Sequence, residues 1–258
     1  MLGLVPLLLT AALVAAYAVA LQRLHGRGDA WPWPRTAALL VGSLCVAGAL
    51  LPPLATADER LPVHMTQHLL LAMAAPGLLA LSAPVTLALR TLPRRPRRAL
   101  LGLVHCRPVR VLTMPPVVLV ISTGSLLTLY LTGLYAATLE HEALHAAAHV
   151  HLFLTGCLLS WTVIGVDPIA RRPSVQARLT TLVLAAAAHD TISKLLYARG
   201  LPAGGGSVAE RHAGAEIMYY GGTVVDLALA VALMAQWYRR SGRELERSRR
   251  RGWTLERT

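Results

Sequence analysis

Seven runs of mostly apolar residues, each about the length of a bilayer-crossing helix, divide this chain of 258 residues. They cover roughly 2–21, 35–53, 62–89, 110–135, 141–165, 174–198 and 213–238. None alternates with period two as a barrel strand does. Backbone polar groups in hydrocarbon must then be satisfied within each segment, which leaves the α-helix. A hydrophobic fraction of 55% fits that reading. The sequence therefore predicts an all-α polytopic bundle of seven transmembrane helices over residues 1–238, with a basic tail over 239–258.

The formal charge of +12 could suggest nucleic acid, but its distribution points to the lipid bilayer. Connections 22–35, 90–110 and 166–178, with the tail from 239, hold 21 of the 25 Lys and Arg residues. The alternate connections hold only Arg60, Lys194, Arg199 and Arg211. The positive-inside rule makes the arginine-rich side cytoplasmic, which puts the N-terminus outside and the C-terminus inside. No nucleic-acid partner is expected. Arg23 and Arg27 follow the first run instead of preceding it, so an uncleaved helix is expected there, not a signal peptide. Residues 91–98 read as a basic hinge against headgroups, and Pro76, Pro84, Pro115 and Pro116 fall inside runs. Cys45, Cys106 and Cys157 have no paired spacing and indicate neither a disulfide framework nor a thiolate centre.

On this topology eight of the ten histidines lie towards the outer face. They are His64 and His68, then His141, His145, His149 and His151, then His189, then His212. His64 and His68 share a helix face by their i, i+4 spacing. His141, His145 and His149 form a stripe that drifts about 40° per step, while His151 points about 200° away from His149. At 1.5 Å per residue His149 and His189 lie roughly 12 and 13 Å deep. Imidazole at such depth needs a partner, so His64, His68, His145, His149 and His189 are the expected metal ligands. His151, Asp190, His212 and Glu216 are auxiliary candidates. Asp190 could orient His189 or pair with Lys194. Asp226 is a buried acid of unassigned role.

Imidazole serves copper, zinc and haem iron alike, and the same layer offers only Met65 and Met218 as soft donors. Three classes stay open on the residues. One is a copper-handling protein. Another is a b-type cytochrome with haem between His68 and either His149 or His189. The third is an intramembrane zinc hydrolase using Asp190 or Glu216 as base.

Particular motifs add to this. His64-Met-Thr-Gln-His68-Leu-Leu-Leu, followed by Ala75-Pro76 and Ala83-Pro84, resembles the third-helix signature of CtaG-type cytochrome c oxidase assembly factors. His149-Val-His-Leu-Phe153, Gly156, Trp161 and Ile164-Gly-Val-Asp167-Pro168 resemble that family's fifth helix and the loop after it. His189, and Gly214 with Ile217-Met218, resemble its sixth and seventh helices. The likeness covers roughly 35–240. It implies a non-enzymatic, seven-helix protein of the bacterial plasma membrane that matures haem–copper oxidase by helping copper reach the catalytic subunit, with an extracytoplasmic (periplasmic) copper chaperone as a further expected partner.

Overall fold

The computed structural model describes residues 4–168 and 172–255, and among these the regular elements are all helical. Residues 1–3 of the first run, 169–171 of an arginine-bearing connection and 256–258 of the tail lie outside the described residues. Helices α1 (Leu4–His25) and α2 (Trp33–Leu50) form an antiparallel pair. At their junction the Trp31 indole donates to the Tyr17 hydroxyl at 2.8 Å. That hydroxyl in turn donates to the Ser82 carbonyl at 3.1 Å, tying the pair to the third run.

The third run is broken instead of straight. It comprises α3 (Leu61–His68), a π-helical turn (Leu69–Ala74), α4 (Ala75–Ser82) and α5 (Pro84–Thr91). Pro76 has no N–H to offer the Ala72 carbonyl four residues earlier, and the widened turn lies just where that bond is missing. Ala83, at φ +53°, is the non-glycine residue in the left-handed region among the described residues. Proline at 84 disfavours an α-conformation at 83, so the helix stops there and restarts with Pro84 in its first turn.

The basic stretch expected as a hinge is largely helical, as α6 (Arg94–His105) followed by α7 (Arg107–Leu112). Pro115 and Pro116 do not kink a span. They occupy the first turn of α8 (Pro115–Leu131), where a missing N–H removes no helical bond. A 70° bend separates α8 from α9 (Leu134–Glu140). The long helices α10 (Glu142–Ile164), α11 (Val175–Arg199) and α12 (Val208–Leu255) complete the bundle. Ser207 and Glu210 cap α12 reciprocally: Ser207 Oγ accepts from the Glu210 N–H at 3.2 Å, and Glu210 accepts from the Ser207 N–H at 3.0 Å. The helix runs unbroken to Leu255, so the tail continues the last helix through its described part.

Among the described residues five helices are long and apolar enough to cross a membrane, or six if α8 and α9 count as one bent span. The remaining expected span is α11. It has 25 residues, but Arg178, His189, Asp190 and Lys194 hold its composition short of a plainly apolar helix.

Two buried charges secure the arginine-rich end. The Asp167 carboxylate accepts the N–H groups of Val85 (3.3 Å) and Thr86 (2.7 Å), capping α5 from another element, and also the Trp161 indole at 3.2 Å. Arg178 donates to the carbonyls of Val163 and Ile164 at the C-terminus of α10, which Gly165 ends at φ +52°. Each charge complements the helix dipole it meets. At the opposite end Arg60 pairs with Glu210 at 3.2 Å, and Gly204 packs on Ala136 and Leu139. Connections 51–60, 132–141 and 200–207 therefore meet there.

Candidate metal centre

At that second end His64, His145 and His149 converge. One ligand atom from each lies within 4.8 Å of the others. His64 reaches the cluster from α3 and is 2% exposed; its two partners come from successive turns of α10. The rings of His145 and His149 stand 4.5 Å apart, and that of His64 lies 5.5 Å from His149. Tyr130 and Tyr135 enclose His64, with the Tyr130 hydroxyl 3.2 Å from His64 Nε2. Nδ1 of His64 and Nε2 of His149 are buried without a hydrogen-bond partner among the described residues. Leaving such a group unsatisfied costs about 1–3 kcal/mol.

Asp58 completes this centre from the loop before α3, its Oδ2 lying 3.1 Å from His145 Nε2. Burial pushes the Asp58 carboxyl up, but the hydrogen bond and charge of His145, with the charge of His149, outweigh it and hold the group below its usual range. The cluster faces a cleft of about 780 Å³ whose lining includes Asp58, Glu140, Glu142, His145 and His149, with Leu13, Val46 and Phe153 on its apolar walls.

His68 and His189 do not join this cluster. They form a second group farther along α3, with parallel rings 6.0 Å apart. They line a cavity of about 50 Å³ with Asp226, Ser122 and Thr155. Sequence depth puts all five imidazoles in one layer, whereas the one turn of α3 between His64 and His68 divides them into two sets, one facing α10 and the other α11. Gly222 explains how His189 fits, since a Cβ there would lie 2.6 Å from the ring's Nδ1. Gly156 performs the same service for the π-turn, since a Cβ would meet the Ala72 carbonyl carbon at 2.8 Å.

The auxiliary candidates disperse. His151 is exposed and pairs with the Ser125 hydroxyl at 2.7 Å, on a different face of α10 from His149. His212 stacks on Tyr197 at 4.1 Å. Glu216 is exposed, and His141 is the exposed residue at the start of α10. Asp190 makes neither expected contact: its Oδ1 is buried without a hydrogen-bond partner, and Lys194 instead sits 5.0 Å over the Tyr219 ring. Met65 and Met218 are fully buried in the apolar core around Tyr130 and contribute nothing to the cleft lining. Asp58, Tyr130 and Gly222 escape the sequence reading. A lone loop acid, a tyrosine in an apolar run and a helical glycine carry no periodic signal, although Asp58 lies only six residues before His64.

Residues 15–240 match the family described as cytochrome c oxidase caa3 assembly factor (Caa3_CtaG). The chain belongs to this family. Relatives include an uncharacterized protein of Mycobacterium bovis, 30% identical over 260 residues, which cover 92% of this chain and 39% of that protein. Another of Mycobacterium tuberculosis gives the same figures. One of Mycobacterium leprae is 30% identical over 247 residues, 88% of this chain and 38% of its own length. The chain thus spans about two fifths of the length of these curated relatives. No solved structure gives a significant match. Both histidine groups fall inside the stretch matched to the caa3 assembly factor family, as do Asp58, Asp167 and Arg178.

Proposed function

We propose that this assembly factor takes up copper at the His64, His145 and His149 centre and passes it to the catalytic subunit of a haem–copper oxidase in the bacterial plasma membrane. The observation that carries the reading is the triad itself: three imidazoles from two helices, with unpartnered buried nitrogens, two of them at the wall of an acid-lined cleft. The donor set suits copper as cargo. Asp58 Oδ2, 3.1 Å from His145 Nε2, orients that imidazole and leaves it a lone pair for the ion. With Nε2–H donated to Tyr130, His64 keeps a lone pair as well. His149 offers its free Nε2.

In this reading Asp58, Glu140 and Glu142 raise the local cation concentration at the cleft, and the triad's imidazole nitrogens accept the ion. An acceptor that is itself ligated by histidine then exchanges like donors for like, so transfer in either direction needs little driving force. The topology proposed with it has seven spans, α11 included, with the histidine end outside and the C-terminus in the cytoplasm. An extracytoplasmic chaperone is the proposed donor.

The other readings find less support. The cavity between His68 and His189 holds about 50 Å³, against the several hundred that a porphyrin-sized ligand occupies. The cleft offers imidazoles from α10 alone, with none facing them across it. For a zinc hydrolase, neither Asp190 nor Glu216 lines the cleft where the triad would hold zinc. Copper titration of the purified protein tests the reading. His145→Gln with His149→Gln should weaken copper binding at least tenfold, and unchanged copper affinity in that double variant would overturn the triad as the site.

A further inference from the structure

We propose that the deeper chamber formed by His68, His189 and Asp226 is a second cation site, separate from the triad and loaded through it. For the identity of the metal this rests on the copper reading above. The chamber's own argument is chemical. His68, His189 and Asp226 come from α3, α11 and α12 and are 2%, 4% and 8% exposed. Both ring nitrogens of His68, both of His189 and Oδ2 of Asp226 have no hydrogen-bond partner among the described residues. Five unpartnered polar atoms thus surround or adjoin one small cavity.

The sign of the occupant follows from the lining. The chamber has no Lys or Arg in its wall. Two of its hydroxyls have already spent their hydrogens on their own helices: Ser122 donates to the Val118 carbonyl at 2.8 Å and Thr155 to the Leu152 carbonyl at 3.0 Å. Each neutral imidazole keeps one lone pair beside its N–H, and with the Asp226 carboxylate the two rings offer an occupant three acceptors and no fixed cation. Two imidazoles and a carboxylate form a borderline set that suits a divalent first-row ion, Cu(II) or Zn(II). The carboxylate also supplies charge compensation that the triad has only from Asp58 beside it.

The chamber is shaped as well as lined. Gly222 lies one helical turn before Asp226 on α12, and the space its missing Cβ leaves is filled by the His189 ring. The two sites are linked along α3, since His64 and His68 are separated by four residues, about 6 Å of helical rise. Tyr130 stands at the step between them. Its hydroxyl is at His64 Nε2, and its ring is centred 6.0 Å from that of His68. An ion moving from the triad to the chamber passes this phenol.

The test is copper stoichiometry on the purified full chain, with Cu(II) alone as probe. It would be measured by elemental analysis after desalting, with electron paramagnetic resonance to separate the two environments. Wild type should hold two copper ions, and His189→Gln and Asp226→Asn one each. The ion they retain should carry the triad's spectrum, which also shows that both variants are folded. The His145→Gln, His149→Gln double variant should keep the chamber's ion and fill it more slowly. One ion in wild type, kept by both chamber variants, would overturn the second site and leave the triad standing, with the chamber holding water. Loss of both ions in Asp226→Asn would make the two stations a single site and overturn the proposal equally. No bound copper in wild type would instead remove the copper reading itself.

Discussion

A single absent methyl decides where His189 sits. Gly222→Ala would bring a Cβ to 2.6 Å from the ring's Nδ1, so the buried His189 ring would have to shift. We expect a loss of about 1–3 kcal/mol in stability, the usual penalty of overpacking, read as a lower thermal midpoint in detergent. An unchanged midpoint would contradict the packing described. Asp58 makes a prediction of opposite character. Its carboxyl is held below the ordinary carboxylate range in the fold. Its contribution to stability is therefore fully present above its unfolded pKa of about 4 and is lost as pH falls through the lower folded value. Melts from pH 6 to 2.5 should show wild type losing an increment in that window that Asp58→Asn lacks throughout. Parallel pH profiles for the two proteins would contradict the His145 contact. Neither residue is legible in the sequence, because their roles come from which helix happens to face them.

Helix ends make the fold's sharpest demands. Asp167 satisfies two N–H groups of α5 and the Trp161 indole, at 1% exposure. Asp167→Ala leaves those donors orphaned and should destabilise the protein by about 3 kcal/mol or more, whereas Asp167→Asn, which keeps one acceptor oxygen, should cost clearly less. Equal losses from the two substitutions, measured by thermal or denaturant unfolding, would show that the capping bonds are not what Asp167 supplies. The existence of most long helices is plain from the lengths of the apolar runs, and the stripe of His145 and His149 from their spacing. Breaks are legible only in part. Pro76 and Pro84 mark the third run as irregular, yet the π-turn also depends on the room that Gly156 of α10 leaves at the Ala72 carbonyl. The separation of His68 from His64 depends likewise on which helix meets each turn of α3, α10 at His64 and α11 at His68, which no local pattern encodes.

At the scale of the molecule, the bundle has two chemically distinct ends. One carries arginines, with Asp167 and Arg178 locking helix termini. The other carries the imidazole triad and its acidic cleft. The proposed topology places the second end outside the cell. A cysteine introduced at Ala203 should then react with a membrane-impermeant reagent in intact cells, while Cys106 should not; reaction at Cys106 alone would invert the orientation. Delivery of copper is the account's central claim, and its most direct measure is copper per haem in the oxidase purified from cells whose assembly factor carries His64→Ala and His149→Ala. The account predicts an oxidase that is made, inserted and haem-loaded but holds at most a few tenths of the wild-type copper, with His25→Ala as an unaffected control. Copper per haem equal to wild type in that strain would contradict it.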